Sequence, residues 1–92
     1  MWVVFGLGNP GSEYADTRHN LGFRVVEELL HRAGARARRG AGDYDLASAR
    51  FGGTPVLLVK PSTYVNRSGR AIQQLGGRYS FGPAELLVVV DD

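Results

Sequence analysis

The chain has 92 residues, a length that suits one small domain or a part of a larger one. It contains no cysteine and only two histidines, which excludes disulfides, thiolate metal sites and a histidine-rich metal centre. The formal net charge is +2, and every basic residue except Lys60 is an arginine, whose planar guanidinium suits phosphate.

No apolar run approaches the roughly 20 residues of a membrane span. The first residues also lack the basic leader and small-residue cleavage site of a signal peptide. We therefore expect a cytoplasmic protein with no membrane partner. Four arginines fall between Arg32 and Arg39. This patch suits a polyanion, and a solvated loop is the alternative explanation. A high-GC codon bias is the alternative explanation for the arginine-rich composition as a whole.

The first part of the chain predicts a strand, a helix and one arm of a hairpin. Residues 2–7 form a short apolar run that ends in a Gly-Asn-Pro-Gly turn, typical of a buried strand. Residues 20–33 place apolar side chains on one helical stripe, and Gly34 is suited to end that helix. Residues 43–51 alternate in part and predict a second strand.

The second part predicts the returning strand, another helix and a last strand. Gly52-Gly53 is a hairpin signal, and residues 54–59 form a more apolar, more central strand that Pro61 ends. Residues 66–79 predict a helix with Ile72 and Leu75 inward. Residues 86–90 form a continuous apolar run, typical of a strand covered on both faces.

These elements predict an α/β fold in which a mixed sheet, mostly parallel at its centre, is flanked by helices. We expect residues 1–92 to belong to a single domain. A central strand at the end of the chain is unusual, because an open sheet normally continues with a covering helix and further strands. We therefore expect the domain to be truncated after the strand that ends at Asp91.

Polar residues of catalytic type follow three of the predicted strands, at the sheet edge where ligands bind in open α/β folds. Asn9 follows the first strand, Lys60 and residues 62–66 follow the third, and Asp91 and Asp92 follow the last. His19 lies on the loop that leads into the first helix.

His19 titrates near neutral pH, and a carboxylate from Asp91 or Asp92 would fix its tautomer and strengthen it as a base. The Gly-x-Ser-x-Gly motif of a serine nucleophile does not occur. A water molecule activated by His19 is therefore the simplest chemistry. Asparagine amides can hold a substrate amide or stabilise an oxyanion.

Each of these residues also has a purely structural explanation. A histidine before a helix often serves as a cap or a surface residue, and Asn9 suits a tight turn. Asp91 and Asp92 suit a turn or a helix cap. Gly6-x-Gly8-x-x-Gly11 has the form of a dinucleotide-binding motif, but Pro10 interrupts it and no helix starts directly after it. We reject a cofactor site there.

Four segments of the chain stand out, in this order: Gly6-Leu7-Gly8-Asn9-Pro10-Gly11 followed by Tyr14, Thr17-Arg18-His19-Asn20-Leu21-Gly22, Lys60-Pro61-Ser62-Thr63-Tyr64-Val65-Asn66-Arg67-Ser68-Gly69, and Val88-Val89-Val90-Asp91-Asp92. Together they resemble the signatures of the bacterial-type peptidyl-tRNA hydrolase family. Val65 stands where that family usually has methionine, which shortens one wall of the cleft and removes no chemistry.

The resemblance implies hydrolysis of the ester that joins a peptide to tRNA, which frees the tRNA for translation. His19 would be the general base for water, and Asp91 would orient it. Asn9 would check the peptide and Asn66 would bind near the ester. Tyr14 and Tyr64 would line the contact with the tRNA end, where a ring can stack on a base. The resemblance implies a monomer whose partner is peptidyl-tRNA, with no metal or organic cofactor.

Members of the family continue well past the aspartate, so the resemblance covers their N-terminal half only. We expect the 92-residue chain alone to show little or no hydrolysis. The alternative function is a non-catalytic RNA-binding relative, such as the plant organelle splicing factors of this superfamily. A purely structural domain is a third possibility. The joint retention of His19, Asn9, Asn66 and Asp91 argues against a loss of catalysis.

Overall fold

Two helices pack against opposite faces of a mixed five-stranded sheet. The structure, a computed structural model, describes residues 1–7, 21–62 and 68–89. No helix within these ranges has both the length and the apolar character to cross a membrane. The elements in chain order are β1 (Trp2–Gly6), α1 (Leu21–Ala33), β2 (Arg38–Arg39), β3 (Tyr44–Phe51), β4 (Thr54–Pro61), α2 (Ser68–Gly76), a 3-10 turn (Pro83–Glu85) and β5 (Leu86–Val89).

The strands are arranged in the order β2-β3-β4-β1-β5. β1 pairs in parallel with both of its neighbours, and Phe5 lies opposite Val59 of β4 and Val88 of β5. β3 and β4 form an antiparallel hairpin. The ends of β1, β4 and β5 therefore lie at one edge of the sheet, which we call the carboxyl edge. The predicted α/β fold with a mixed sheet is confirmed.

The predicted hairpin turn is also confirmed. Gly52 and Gly53 join β3 to β4 and both have positive φ, 59° and 85°. A type I′ turn needs positive φ at both central residues, which glycine adopts without steric cost.

The two faces of the sheet bury different side chains because successive residues of a strand point in opposite directions. Leu57, Leu58 and Val59 of β4 are all buried, so this strand contributes to both layers and forms the centre of the core. Full burial of one such side chain stabilises the folded state by about 1.5–3 kcal/mol. The layer toward α2 contains Val3, Phe5, Tyr44, Leu46, Leu57, Val59, Ala71 and Leu75. The layer toward α1 contains Val26, Leu30, Ala47 and Leu58.

α1 begins against the backbone at the end of β1, where two glycines allow helix and strand to touch. A Cβ added to Gly22 would meet the backbone of Leu7 and, at 2.6 Å, the carbonyl oxygen of Val89. A Cβ added to Gly6 would meet the carbonyl of Gly22 and, at 2.6 Å, Cγ2 of Val26. Carbon atoms normally pack about 3.5–4.0 Å apart, so only glycine permits this approach.

Three elements differ from the sequence prediction by more than one residue. β4 continues through Lys60 to Pro61, which pairs with Tyr44, because the last position of a strand can dispense with a backbone donor. α2 ends at Gly76 and does not reach Tyr79. Arg38–Arg39 forms a short strand that the sequence did not predict, since these residues pair with the edge of β3.

β5 lies at the edge of the described sheet, and the described residues do not provide the predicted cover on both of its faces. Among the described strands it pairs with β1 alone, and Leu87 and Val88 are 56% and 38% exposed. These two side chains point to opposite faces, so neither described helix fully covers the strand. The predicted end of the strand at Asp91 lies outside the described residues.

The starts of β1 and β5 are joined at the sheet edge opposite the carboxyl edge. The N-terminal ammonium donates a hydrogen bond to the Glu85 carboxylate, and the Gly82 N–H donates another at 2.9 Å. The ammonium hydrogen bond is the main cause that lowers the pKa of Glu85 below its ordinary value, and the Gly82 bond acts in the same direction.

Gly22→Ala should lower the free energy of unfolding by about 1–3 kcal/mol, because the new methyl group forces α1 away from β1 and β5. Gly76→Ala is the control, since an added Cβ there meets nothing within 4 Å. It should leave the stability unchanged or raise it by about 0.4–1 kcal/mol. Urea unfolding followed by circular dichroism measures both variants. Wild-type stability in Gly22→Ala would contradict the close contact.

Candidate active site

The carboxyl edge brings together the described ends of three chain segments. Leu7 follows β1, and its N–H donates to the carbonyl oxygen of Val89, the last residue of β5, at 2.9 Å. β4 lies on the other side of β1 and ends at Pro61, which leads into Ser62. This is the edge of an open α/β sheet at which ligands bind.

The start of α1 lies at the same edge. Gly22 is close enough to the backbones of Leu7 and Val89 that even a methyl group would not fit between them. The first turn of a helix presents unpaired N–H groups and a partial positive charge, which favours anionic groups nearby. Four points of the chain, at residues 7, 21, 62 and 89, therefore surround one surface.

All six predicted site residues lie outside the described residues, in the segments that adjoin these points. Asn9, Tyr14 and His19 belong to residues 8–20, Tyr64 and Asn66 to residues 63–67, and Asp91 to residues 90–92. The structure describes the residues that flank each segment. The side-chain geometry of the six residues stays a prediction.

Lys60 lies next to the end of β4, as the sequence predicts, and its side chain contacts α1. Its Nζ is 3.9 Å from Oε1 of Glu27 and 5.9 Å from the centre of the Phe23 ring. A cation–π contact of this kind is worth about 0.5–1 kcal/mol at an exposed site. These contacts hold one positive charge beside the carboxyl edge.

Asp43 connects the end of β4 to α2, the two described elements on either side of residues 63–67. Its carbonyl oxygen accepts a hydrogen bond from the N–H of Ser62 at 2.8 Å. Its N–H donates to Oε1 of Gln74 at 2.8 Å, and its carboxylate accepts from Nε2 of Gln74 at 3.1 Å. Nε of Arg70 is 3.3 Å from the same carboxylate oxygen.

These contacts, which we call the Asp43 clasp, hold β4 and α2 at a fixed separation. Ser62 comes directly before residues 63–67, whereas Arg70 and Gln74 lie on the helix that follows them. The segment that contains Tyr64 and Asn66 therefore starts and ends on elements that one residue connects.

The sequence did not reveal this role of Asp43, which we interpreted only as the start of a strand. Gln74 is 31 positions away, and no motif or spacing connects the two residues. The tight packing is also evident at Gly42, where an added Cβ would lie 2.6 Å from Oε1 of Gln74. Such contacts are set by the tertiary fold and are visible only in three dimensions.

Known proteins resemble the chain along nearly its full length. The family model described as peptidyl-tRNA hydrolase matches residues 3–92. A peptidyl-tRNA hydrolase of Chloroflexus aggregans is 50% identical over 93 residues, and one of Aquifex aeolicus is 45% identical over 95 residues. These alignments include 100% and 98% of this chain but 50% and 47% of the relatives. The chain thus spans about half the length of the curated relatives it matches.

Solved structures share the fold. The crystal structure of peptidyl-tRNA hydrolase from Acinetobacter baumannii matches with a TM-score of 0.91 at 36% identity, over 98% of this chain and 46% of that one. A complex of peptidyl-tRNA hydrolase with N-propanol matches with a TM-score of 0.90 at 35% identity and the same coverage.

Asp43→Ala should lower the free energy of unfolding by about 1 kcal/mol, because Gln74 loses a hydrogen-bond partner. The Arg70 ion pair adds little, since it is largely exposed. Asp45→Ala is the matched control, because Asp45 lies between Tyr44 and Leu46, which face α2, and so points to the other face of the sheet. Urea unfolding compares the two. Equal losses would contradict a specific role for the clasp.

Proposed function

The chain belongs to the peptidyl-tRNA hydrolase family, and on this basis we propose that it forms the N-terminal part of a single-domain enzyme that cleaves peptidyl-tRNA. The reaction hydrolyses the ester between peptide and tRNA, and it yields the free peptide and a tRNA that returns to translation. The observation that carries the proposal is the contact among Leu7, Gly22 and Val89 at the carboxyl edge.

This contact supports the proposal because it limits how far apart the predicted catalytic groups can lie. His19 comes two residues before α1, and Asp91 comes two residues after β5. Consecutive Cα atoms are 3.8 Å apart, so two residues span about 7.6 Å at most. His19 and Asp91 are thus tethered closely to two points of one surface.

His19 acts as the general base in the proposed mechanism. It removes a proton from water as the oxygen attacks the ester carbonyl carbon, and it returns a proton to the ribose oxygen when the ester bond breaks. Asp91 accepts a hydrogen bond from the imidazole and stabilises its protonated form. General-base catalysis by a positioned side chain is worth about 10²–10⁴-fold in rate.

The other predicted residues bind the two halves of the substrate. Asn9 contacts the peptide, and Asn66 lies near the ester, where its amide N–H groups donate to the developing oxyanion. Tyr14 and Tyr64 line the contact with the end of the tRNA, where a ring can stack on an unpaired base. Arginine side chains neutralise phosphates.

We also propose the cofactor requirement, the cellular location and the oligomeric state of the enzyme. Water activated by imidazole requires no metal ion or organic cofactor. We place the enzyme in the cytoplasm, where peptidyl-tRNA leaves the ribosome, and we propose that it acts as a monomer. Family membership supports these assignments.

His19→Ala should lower kcat by about 10²–10⁴-fold, since the general base is lost. The test uses this chain joined at residue 92 to the second half of the Chloroflexus aggregans relative, which we call the extended protein. Its substrate is N-acetyl-aminoacyl-tRNA. The affinity for uncharged tRNA should stay within about twofold, because the imidazole acts in the chemical step.

His31→Ala is the matched control. His31 is the other histidine of the chain and lies exposed in the last turn of α1, so its removal should leave kcat unchanged. Substantial turnover in His19→Ala would refute the general-base role. Binding of tRNA without turnover in the unmodified extended protein would favour the non-catalytic RNA-binding alternative.

The 92-residue chain without the second half should hydrolyse N-acetyl-aminoacyl-tRNA far more slowly than the extended protein. The physical reason is that Leu87 and Val88 of β5 are exposed, so the strand before Asp91 has little support on its outer side. Single-turnover rates at equal enzyme concentration compare the two proteins. Equal rates would show that the second half is dispensable for the chemistry.

A further inference from the structure

A groove of about 570 Å³ lies along the outer edge of β3, beside the end of α1. Arg36, Arg38 and Arg50 line it together with Ser48 and the Tyr79 ring, and no acidic residue is part of its lining. All three arginines are exposed. We call this cavity the arginine groove.

Within the described part of the chain, no ion pair balances the positive charge of the groove. Among the described residues, the ion pairs involve Arg32, Lys60, Arg70 and the N-terminal ammonium, and none of the three groove arginines. Nη1 of Arg50 donates to the carbonyl oxygen of Gly53 at 2.9 Å, which anchors that guanidinium at the hairpin. The Arg50 guanidinium has no carboxylate partner among the described residues.

The dipole of α1 does not offset this charge. A helix C-terminus is equivalent to about half a negative charge, whereas three guanidinium groups line the groove. The last carbonyls of α1 are already satisfied, since Gly34 N–H donates to His31 at 3.1 Å and Ala35 N–H donates to Leu30 at 2.9 Å. The groove therefore attracts anions, and guanidinium groups bind phosphate with paired hydrogen bonds.

We propose that the arginine groove binds the phosphate backbone of tRNA at a point remote from the scissile ester. The proposal rests on the proposed function for the identity of the RNA. α1 begins at the carboxyl edge and ends at the groove, and its 13 residues span about 20 Å. A stacked strand advances about 3.4 Å per phosphate, so a tRNA whose end lies at the carboxyl edge reaches the groove about six nucleotides away.

An open groove favours a continuous backbone over a small free anion. The cavity lies between the chain that follows α1 and the exposed residues of β3, so a strand can enter and leave it. Two neighbouring phosphates of one strand can then contact different arginines. An isolated phosphate would satisfy only part of this charge.

The test compares two triple variants of the 92-residue chain by fluorescence anisotropy with labelled uncharged tRNA. Arg36→Gln/Arg38→Gln/Arg50→Gln removes the groove charge. Arg24→Gln/Arg32→Gln/Arg78→Gln removes the same charge from exposed arginines outside the groove. The groove variant should bind tRNA at least tenfold more weakly. The slope of log K against the logarithm of the salt concentration should also become less steep by about two to three units.

The outcomes separate the groove from general charge effects. The control variant should lose no more than about threefold in affinity, because none of its three arginines lines the groove. Equal losses in both triple variants would overturn the proposal, as would wild-type affinity in the groove variant. If inorganic phosphate displaces tRNA at millimolar concentration at constant ionic strength, the groove is a site for small anions and the proposal fails.

Two safeguards keep the result interpretable. Circular dichroism checks the fold, and the pair Arg36→Gln/Arg38→Gln replaces the triple variant if loss of the Arg50 contact with Gly53 unfolds the chain. In the extended protein, the groove variant should raise KM and leave kcat unchanged. If His19→Ala loses kcat while the groove variant keeps the wild-type KM, the groove proposal is refuted and the catalytic mechanism is not. If His19→Ala keeps full turnover while the groove variant binds tRNA more weakly, the catalytic mechanism is refuted and the groove proposal is not.

Discussion

The close contact between the first turn of α1 and the end of β1 determines the arrangement of the carboxyl edge. Gly6 and Gly22 bring two backbones together where no other residue fits, and the Leu7–Val89 hydrogen bond adds the end of β5 to the same point. Because the contact is between backbones, it fixes where the neighbouring segments begin without depending on side-chain rotamers. The segments that contain Asn9, His19 and Asp91 all start or finish there.

The sheet extends this arrangement in two directions. β4 runs parallel to β1, so it delivers residues 63–67 to the same edge. The antiparallel β3 begins there, with Tyr44 opposite Pro61, which places Asp43 where it can join Ser62 to α2. The far end of β3 and the end of α1 form the arginine groove. One small domain thus has the carboxyl edge, where we propose the chemistry, and, about 20 Å away along α1, the arginine groove, where we propose that tRNA phosphates bind.

Local patterns predicted the elements well, but not their positions in the sheet. The periodicity of residues 20–33 and the Gly52-Gly53 signal were sufficient for α1 and the hairpin, because these features depend on neighbours in sequence. The apolar run of β5 indicated a buried strand but not its neighbours in the described sheet, since an apolar strand has the same composition at an edge and at the centre. The role of Asp43 was missed because its partner Gln74 is distant in sequence. The motifs identified the family, while the geometry of His19 and Asp91 stays a prediction.

The proposed catalytic mechanism depends most on the assignment of Asp91, and not its neighbour Asp92, as the partner of His19. The most direct measurement is kcat of the extended protein on N-acetyl-aminoacyl-tRNA in the two isosteric variants, Asp91→Asn and Asp92→Asn. The account predicts that kcat falls by about 10²-fold or more in Asp91→Asn and stays near the wild-type value in Asp92→Asn. The reverse order, or equal activity in both variants, would contradict it.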